Sequence, residues 1–361
     1  MPQSRPSEHS AMIRAAVIDD SAYNRVTLTR MLQSTGEVEV VATAINGEDG
    51  IRQVLREKPD VITLDLEMPV LDGFAFLRWL MANQPTPVIA VSSRSSDRSV
   101  FKALELGAVD FISKPGGRVS QRLEEIEAEL LAKVRQIGNV RIDNVRTRII
   151  DEEPRRVITG RVAAHVPHNA DLIVIGCSTG GPPALQMLLQ TMPLLPVPFV
   201  IAQHMPPTFT RLFAERVNRL TSYKVKEGED RDVLRPGAVY IAPGGLQSEV
   251  ERDDDRLILR VRGRAAEDLY APSVNRLFES ASTACAERLI AVILTGMGDD
   301  GAGAIRRVRE RGGRTIAESA ATAIIFGMPG EAIRTGAVEE VLPLPQIPSA
   351  INRLCLGTGG Q

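Results

Sequence analysis

Short apolar runs alternate with longer stretches of helical spacing throughout most of this chain. In the first third there are five such runs, at Ala15–Ile18, Val38–Ala44, Val61–Leu66, Val88–Val91 and Asp110–Ile112. Strands that alternate with helices form a parallel sheet covered by helices on both faces. We therefore predict a (βα)5 α/β domain over residues 12–138, and its last helix lies in the sequence RLEEIEAELLAKVRQI.

The alternation resumes over residues 169–356. Apolar runs lie at Leu172–Ile175, Phe199–Ala202 and Leu289–Leu294, and helical spacing near Pro183–Gln190, Phe209–Leu220, Ser273–Glu287 and Asp300–Arg311. Within residues 238–261, the runs AVYIA, QSEVE and RLILRV are broken by GG and DDD, which favours antiparallel strands. The pattern predicts a doubly wound, mostly parallel α/β domain with an antiparallel hairpin insertion.

Residues 139–168 separate these two series and are predicted to be an interdomain linker. The periodicity is lost there, and the sequence becomes charged and rich in turn residues. His165 and His168 have a spacing that a metal site could use, but Pro167 breaks any helix that would align them and no third ligand is adjacent. A solvated linker is the better interpretation.

Composition excludes several classes of function. The 361 residues include 43 basic and 45 acidic side chains, a balance that gives no indication of a nucleic-acid or anionic-membrane partner. No apolar run approaches the roughly 18 residues of a membrane span, so membrane insertion is not expected. The three cysteines lie far apart and in no C-x-x-C pair, which is typical of a reducing compartment. We expect a cytoplasmic monomer.

Polar residues follow the predicted strands of the first domain. They are Asp19 and Asp20 after the first strand, Asp65 in the third, Ser92 after the fourth and Lys114 after the fifth. Carboxyl ends of parallel strands meet at one edge, so these side chains should converge there. Such oxygen ligands suit Mg²⁺, which neutralises charge while a phosphoryl group is transferred to a carboxylate. We expect Asp65 to be the acceptor, Lys114 to pair with the acyl phosphate and Ser92 to donate a hydrogen bond to it.

The motifs VIDDSAYNR, TLDLEMPVLDG, AVSS and DFISKP resemble the receiver domain of bacterial response regulators, which has a flavodoxin-like fold. The resemblance implies that a histidine kinase is the phosphodonor for Asp65 and that Phe111 is an aromatic switch residue. It also places a cis peptide bond at Lys114–Pro115. The implied Mg²⁺ ligands are Asp19, Asp20, Asp65 and the carbonyl group of Glu67.

The second domain opens with DLIVIGCSTGG, which predicts a strand, a tight turn and a helix with Ser178 at the apex. The segment Gly176–Gly180 has the G-x-S-x-G spacing of a nucleophile elbow. A dinucleotide fingerprint would need glycine at Ser178, and a P-loop would need Lys and Ser or Thr where Pro182 and Pro183 stand. A glycine-rich turn with no chemistry stays an alternative for this motif taken alone.

A base for Ser178 can be sought among four histidines, of which only His204 lies within a predicted folded pattern. His204 follows the strand PFVIAQ directly, and the third strand end, ILTGMGDDG, supplies Asp299 and Asp300. An acid there could orient His204 while it takes the serine proton. The order Ser, His, Asp differs from the Ser, Asp, His order of α/β hydrolases, so that fold is not expected. Backbone N–H groups of Thr179, Gly180 and Met297 could hold an oxyanion.

The motifs IGCSTGG, AQHMPPTFTRLFAERVN, VYIAPGG, LTGMGDDGAGA and FGMPGEA resemble the chemotaxis protein-glutamate methylesterases. With the receiver motifs in front, the resemblance covers nearly the whole chain. It implies Ser178 as nucleophile, His204 as base and Asp300 as the third triad member, with no cofactor for the esterase. The implied activity is hydrolysis of glutamate γ-methyl esters on methyl-accepting chemoreceptors, with release of methanol, and deamidation of receptor glutamines. An unphosphorylated receiver would block Ser178.

Three positions depart from the family pattern. Gln247 stands where His is common, Asn275 where Asp is frequent and Ala320 where Glu is usual. We expect these departures to affect substrate docking rather than chemistry. They leave open a paralogue that serves a non-flagellar receptor array. A response regulator whose second domain only binds a partner is the alternative of another class, whereas a transcriptional regulator would need a basic recognition helix that does not follow the receiver.

Overall fold

The chain forms two compact units, Met1–Val140 and Arg141–Gln361, each with its own sheet. A computed structural model describes residues 12–92, 97–115, 120–149 and 168–357. None of the described helices is long and apolar enough to cross a membrane.

The first unit is a parallel five-stranded sheet with strand order β2-β1-β3-β4-β5, which confirms the predicted fold. Its strands are β1 (Ile13–Ile18), β2 (Val38–Ala44), β3 (Val61–Asp65), β4 (Val88–Ser92) and β5 (Asp110–Ser113). Its helices are α1 (Ala22–Gln33), α2 (Gly47–Glu57), α3 (Gly73–Asn83), α4 (Asp97–Glu105) and α5 (Ser120–Arg135). A 3-10 turn, Ile137–Asn139, follows α5.

Side-chain caps fix where the helices begin at the carboxyl edge of this sheet. Ser21 accepts a hydrogen bond from the Asn24 N–H at the start of α1, and Asp72 accepts one from the Ala75 N–H at the start of α3. Such caps satisfy N–H groups that have no partner within the helix. They hold the loops that follow β1 and β3 in place, and those loops carry the acidic residues.

The second unit has a seven-stranded parallel sheet with strand order β15-β14-β13-β6-β7-β10-β8. The strands of the whole unit are β6 (Leu172–Cys177), β7 (Phe199–Gln203), β8 (Lys224–Glu227), β9 (Asp232–Val233), β10 (Ala238–Ile241), β11 (Leu246–Asp253), β12 (Arg256–Gly263), β13 (Leu289–Ile293), β14 (Arg314–Glu318) and β15 (Glu340–Leu342). Its helices are α6 (Ile142–Thr147), α7 (Gly181–Thr191), α8 (Pro207–Leu220), α9 (Val274–Cys285), α10 (Ala302–Glu310), α11 (Gly327–Arg334) and α12 (Ile347–Leu356). Two further 3-10 turns are Ala286–Arg288 and Leu344–Gln346.

The antiparallel insertion is confirmed, but its extent was predicted wrongly. Strands β11 and β12 pair as an antiparallel hairpin and form a separate three-stranded sheet with β9. Strand β10, expected to be antiparallel, instead pairs in parallel with β7 and β8 in the large sheet. All four of its residues are buried, and a continuous apolar run without alternation is typical of a parallel strand covered on both faces.

Helix α6 lies within the segment that the sequence pattern predicts to be linker. It begins one residue after Arg141, whose N–H donates to the carbonyl of Ile324 (2.9 Å), and it packs within the second unit. A six-residue helix with one buried side chain, Val145, is too short to show a helical period in the sequence. Residues 150–167 of the predicted linker, including His165, fall outside the described residues, whereas His168 lies within them.

Strand β6 is central in the large sheet, with β13 on one side and β7 on the other. The chain extends the sheet from β6 through β7 and β10 in one direction and through β13, β14 and β15 in the other. Crevices beyond the carboxyl ends of strands at such a reversal point are the usual ligand sites of doubly wound sheets. The end of β6 is the position of Ser178.

Candidate functional site

Ser178 and His204 follow neighbouring parallel strands at the same edge of the sheet. The last residues of β6 and β7, Cys177 and Gln203, are paired in register, and the His204 N–H donates to the carbonyl of Cys177 (3.0 Å). Adjacent strands lie about 4.8 Å apart. The structure therefore brings the predicted nucleophile and base together.

The turn at Ser178 is held by backbone contacts and needs glycine. The Ser178 N–H donates to the carbonyl of Thr295 (3.1 Å), and the Ser178 carbonyl accepts from the Gly181 N–H (2.8 Å). Gly180 has a φ of +75°, and a Cβ at Gly181 would lie 2.0 Å from Oε1 of Gln203. Only a residue without a side chain meets both requirements at low cost. The Gln203 Nε2 in turn donates to the carbonyls of Ser178 and His204, each at 3.0 Å.

Cys177, the neighbour of Ser178, is not a competing nucleophile. Its side chain is buried, and burial raises the pKa of the thiol well above its usual value, as does the negative charge of Glu318. The Sγ donates to Gln203 Oε1 (3.1 Å). A thiol that is kept protonated reacts poorly, whereas Ser178 is half-buried at the open end of the strand.

The third member, Asp300, contacts the imidazole directly. Nε2 of His204 lies 2.9 Å from Oδ2 of Asp300, whose side chain is 1% exposed. An ionised carboxylate can only accept hydrogen bonds, so this contact places the proton of the neutral ring on Nε2. Nδ1 is then the nitrogen with a free lone pair.

Asp300 also caps the N-terminus of helix α9. Its Oδ2 accepts from the Val274 N–H (2.7 Å), and its Oδ1 accepts from the Asn275 N–H (2.9 Å) and the Ser273 hydroxyl (3.1 Å). Burial acts to raise the pKa of Asp300, but the hydrogen bond and charge of His204 and the two N–H groups outweigh it, so the pKa lies below its usual value. The positive end of the helix dipole favours the same ionised form.

A tyrosine that sequence reasoning missed packs on the histidine. The rings of Tyr270 and His204 are stacked with centroids 4.5 Å apart and planes within 5°. Burial, with the charges of Asp299 and Asp300, raises the pKa of the Tyr270 hydroxyl. No sequence signal connects Tyr270 with His204, because the loop before α9 has no periodic pattern.

Two of the three positions that depart from the family pattern make hydrogen bonds next to helix α9. Gln247, 1% exposed, donates through Nε2 to the Tyr270 carbonyl (2.7 Å) and accepts through Oε1 from the Ser273 N–H (2.9 Å). Oδ1 of Asn275 accepts from the Ala304 N–H (2.9 Å) and so joins α9 to α10. Both side chains thus make structural contacts near the triad residues, and the expectation that these positions affect docking stays a prediction. At the third position, the backbone carbonyl of Ala320 accepts a hydrogen bond from Nδ2 of Asn144 in α6 (3.4 Å).

The groups predicted to hold an oxyanion lie around Ser178. The carbonyl of Thr179 accepts from the Thr295 hydroxyl (3.0 Å), which fixes this side of the turn. Among the described residues, the N–H groups of Gly180 and Met297 make no turn or loop hydrogen bond to the backbone. Their role in binding an oxyanion stays a prediction.

The first unit has a second cluster of charged groups. Carboxylate oxygens of Asp19, Asp20 and Asp65 lie within 4.8 Å of one another, at the ends of β1 and β3. Nζ of Lys114 contacts Oδ2 of Asp65 at 2.6 Å, and the Glu67 N–H donates to Asp65 Oδ1 (3.1 Å). The structure thus brings together all five of these predicted residues.

The electrostatics of this cluster fit a divalent cation. Burial raises the pKa of both Asp19 and Asp65, although Lys114 and backbone N–H groups act in the opposite direction. Lys114 neutralises only part of the negative charge of the three carboxylates. Such a site suits a small cation that prefers oxygen ligands, such as Mg²⁺. Whether the Glu67 carbonyl joins them stays a prediction.

The two remaining receiver residues lie on β4 and β5. Ser92 is buried at the end of β4, and its carbonyl accepts from the Lys114 N–H (2.8 Å). Phe111 is 3% exposed, with Nζ of Lys133 5.3 Å from its ring centroid, so its ring is packed inward. The cis bond expected at Lys114–Pro115 is not present; among the described residues the cis peptide is Ala271–Pro272. The trans form is the intrinsically favoured one.

Comparisons with known proteins match both units. Residues 173–351 match the family model for the CheB methylesterase, and residues 15–125 match the response regulator receiver domain. A protein-glutamate methylesterase/protein-glutamine glutaminase of Myxococcus xanthus is 47% identical over 345 residues, which cover 95% of this chain and 97% of the relative. One of Geobacter sulfurreducens is 42% identical over 361 residues, with 95% and 97% covered. The crystal structure of the Thermotoga maritima CheB methylesterase catalytic domain aligns with a TM-score of 0.50 at 37% identity, covering 51% of this chain and 98% of that domain.

Proposed function

This chain belongs to the CheB methylesterase family, with a receiver domain in front, and we propose that Ser178, His204 and Asp300 carry its hydrolytic activity. It is a protein-glutamate methylesterase and protein-glutamine glutaminase that acts on chemoreceptors under phosphorylation control. The observation that carries the assignment of residues is the His204–Asp300 hydrogen bond (2.9 Å) at the strand end next to Ser178.

Acylation begins when His204 takes the proton of Ser178. Nδ1 is the base, because Nε2 is bound to Asp300. The Ser178 Oγ then attacks the carbonyl carbon of a glutamate γ-methyl ester. The oxyanion of the tetrahedral intermediate is held by backbone N–H groups at Gly180 and Met297. His204 returns its proton to the departing methoxide, methanol leaves, and a γ-glutamyl ester of Ser178 remains.

Deacylation repeats these steps with water as the nucleophile. His204 takes a proton from water, the hydroxide attacks the acyl carbon, and the proton passes to Oγ as the C–O bond to Ser178 breaks. The products are glutamate and free Ser178. With a glutamine substrate the first leaving group is ammonia, and the second half is identical.

Asp300 favours these proton transfers to and from His204. It stays ionised because helix α9 and the imidazole hold the pKa of its carboxyl below the usual value. Its negative charge stabilises the imidazolium that forms in each half-reaction. The stacked ring of Tyr270 restricts rotation of His204 and stabilises the imidazolium by a cation–π interaction.

Regulation is assigned to the receiver. A histidine kinase supplies the phosphoryl group, Asp65 accepts it, and Asp19, Asp20 and Asp65 would hold Mg²⁺, which neutralises charge during the transfer. Lys114 pairs with the phosphorylated carboxylate, and Ser92 and Phe111 respond to it. Phosphorylation frees Ser178 from the receiver, which requires that the phosphoryl group favour the active state over the inactive one. The three cysteines are free thiols, which supports the cytoplasmic localisation that we propose. We propose that the chain acts there as a monomer.

The assay that tests this function measures both products on receptor membranes. The full chain with a small-molecule phosphodonor and Mg²⁺ should release methanol from methylated receptors and ammonia from receptors that carry glutamine. A protein that binds these membranes but releases neither product would instead be a binding module, and the hydrolase assignment would be abandoned.

A further inference from the structure

A buried ion pair lies directly behind the Ser178 turn. Nη2 of Arg148, the residue that follows α6, contacts Oε1 of Glu318 at the end of β14. The two side chains are 5% and 0% exposed. Neither residue belongs to the triad, and their positions 170 apart in sequence gave no signal.

Buried charges are costly, so this pair calls for an explanation. Removing two ions from water is offset only when each is paired and hydrogen-bonded. Arg148 also donates to the carbonyls of Gly180 (3.3 Å) and Thr322 (2.7 Å). Glu318 accepts from the Thr295 N–H (2.9 Å) and the Thr322 hydroxyl (2.8 Å). The partners of the pair are therefore three backbone groups and one hydroxyl, and two of them, on Gly180 and Thr295, belong to loops that contact Ser178.

Each residue of the serine turn is held by one bond to this network. The Ser178 N–H donates to the carbonyl of Thr295, whose own N–H is bound by Glu318. The Thr179 carbonyl accepts from the Thr295 hydroxyl, and the Gly180 carbonyl accepts from Arg148. The turn is thus fixed from the β13 side by Glu318 and from the α6 side by Arg148.

The segment that carries Arg148 is anchored along its length. The Arg141 N–H donates to the Ile324 carbonyl (2.9 Å), and Asn144 Nδ2 donates to the Ala323 carbonyl (2.8 Å). With the Arg148 bond to Thr322, three consecutive carbonyls after β14 accept from this short segment. It belongs to the hydrolytic unit although it lies within the region predicted to be linker.

We propose that Arg148 and Glu318 are positioning residues for the Ser178 turn, so that the residue after α6 contributes to the hydrolytic domain through its side chain. The pair sets the orientation of the nucleophile and of the Gly180 N–H for the transition state, without contacting substrate. This proposal rests on the function proposed for Ser178.

The test compares Arg148→Met, Glu318→Gln and the double variant in the full chain, with Arg146→Met as the control on the exposed face of α6. Each single variant leaves one buried charge unpaired, so the melting temperature should fall by roughly 6 to 20 °C. The double variant has no unpaired charge and should regain most of that loss. Assays are run well below the lowest melting temperature.

The catalytic readout separates positioning from stability. In all three variants, the double included, kcat for methanol release should fall at least about tenfold with KM unchanged, since displacement of a reacting group by about 1 Å can cost on the order of 100-fold. Labelling of Ser178 by a fluorophosphonate should slow in parallel. Arg146→Met should match wild type.

Recovery of wild-type kcat in the double variant would show that the pair serves stability alone and would overturn the proposal. So would wild-type kcat in either single variant. If instead the wild-type chain neither released methanol nor reacted with the fluorophosphonate at Ser178, the proposed function would have failed rather than the role of the pair.

Discussion

Asp300 binds His204 through Oδ2 at 2.9 Å, and the same oxygen accepts the first N–H of helix α9 from Val274 at 2.7 Å. The proposed acid of the triad is therefore fixed by the N-terminus of helix α9. This arrangement keeps the carboxylate ionised and sets the tautomer of the base before substrate arrives.

Replacing the acid tests that role. Asp300→Asn keeps the shape but presents an amide that can bind the ring in the wrong tautomer, an exchange that costs on the order of 10⁴ in kcat in a protease triad. We expect a loss of about 10³ to 10⁴ in kcat for methanol release, measured under phosphodonor. Its exposed neighbour supplies the control, and Asp299→Asn should stay within about threefold of wild type. A decrease below tenfold in Asp300→Asn would remove Asp300 from the mechanism.

The stacked ring gives a graded prediction. Tyr270→Phe retains a flat ring against His204, whereas Tyr270→Leu does not. We expect kcat to stay within about threefold for the Phe variant and to fall roughly tenfold for the Leu variant, in line with the about 1–2 kcal/mol of a partly desolvated cation–π contact. Steady-state kinetics across pH 6 to 9 provide the measurement. Equal kcat values for Phe and Leu would mean that the ring face is unimportant.

The proposed phosphorylation site has a matched control just before the same strand. Asp65→Asn removes the acceptor, while Asp60→Asn changes an exposed carboxylate just before β3 that accepts from the Arg14 N–H (2.8 Å). Stimulation of methanol release by phosphodonor should vanish in Asp65→Asn and persist in Asp60→Asn. Full stimulation of the Asp65 variant would contradict the assigned acceptor.

The acidic cluster predicts a pH dependence of stability. Burial raises the folded-state pKa of Asp19 and Asp65 above 3.8, so the folded receiver binds more protons than the unfolded chain between those pKa values. The free energy of unfolding should therefore fall as pH rises through this window. Above the window the loss of free energy of unfolding has reached its full value. In EDTA at pH 7, Asp19→Asn should raise the melting temperature of the receiver by about 3 °C or more.

Magnesium should act in the opposite direction on the wild-type receiver. Because it binds the ionised carboxylates of the folded state, it should raise the melting temperature at pH 7 and have a much smaller effect on Asp19→Asn. Differential scanning calorimetry of both proteins, with EDTA and with Mg²⁺, measures this. A lower melting temperature of Asp19→Asn in EDTA would contradict the electrostatic account.

Sequence patterns predicted the features that depend on strand ends. Asp19, Asp65 and Lys114, and likewise Ser178 and His204, follow apolar runs, and parallel strands carry such residues to one edge. The glycine spacing around Ser178 reflects a steric requirement, since a side chain at Gly181 would collide with Gln203. These inferences needed only local pattern and sheet geometry.

What the sequence could not predict are contacts set by tertiary packing between irregular segments. Tyr270 and Gln247 lie on a loop and a hairpin edge without periodic signal, yet they brace His204 and Ser273. Arg148 sits in a charged stretch that looked solvated and is buried against Glu318. Strand β10 was misassigned because a short run between turns looks alike in parallel and antiparallel sheets.

The measurement that tests the central claim most directly is methanol release by Ser178→Ala beside Cys177→Ala, both with phosphodonor on methylated receptor membranes. The account predicts that Ser178→Ala falls to the rate without enzyme, while Cys177→Ala, which removes only a buried protonated thiol, retains activity within about tenfold. Methanol release by a folded Ser178→Ala protein at a rate near wild type would contradict it.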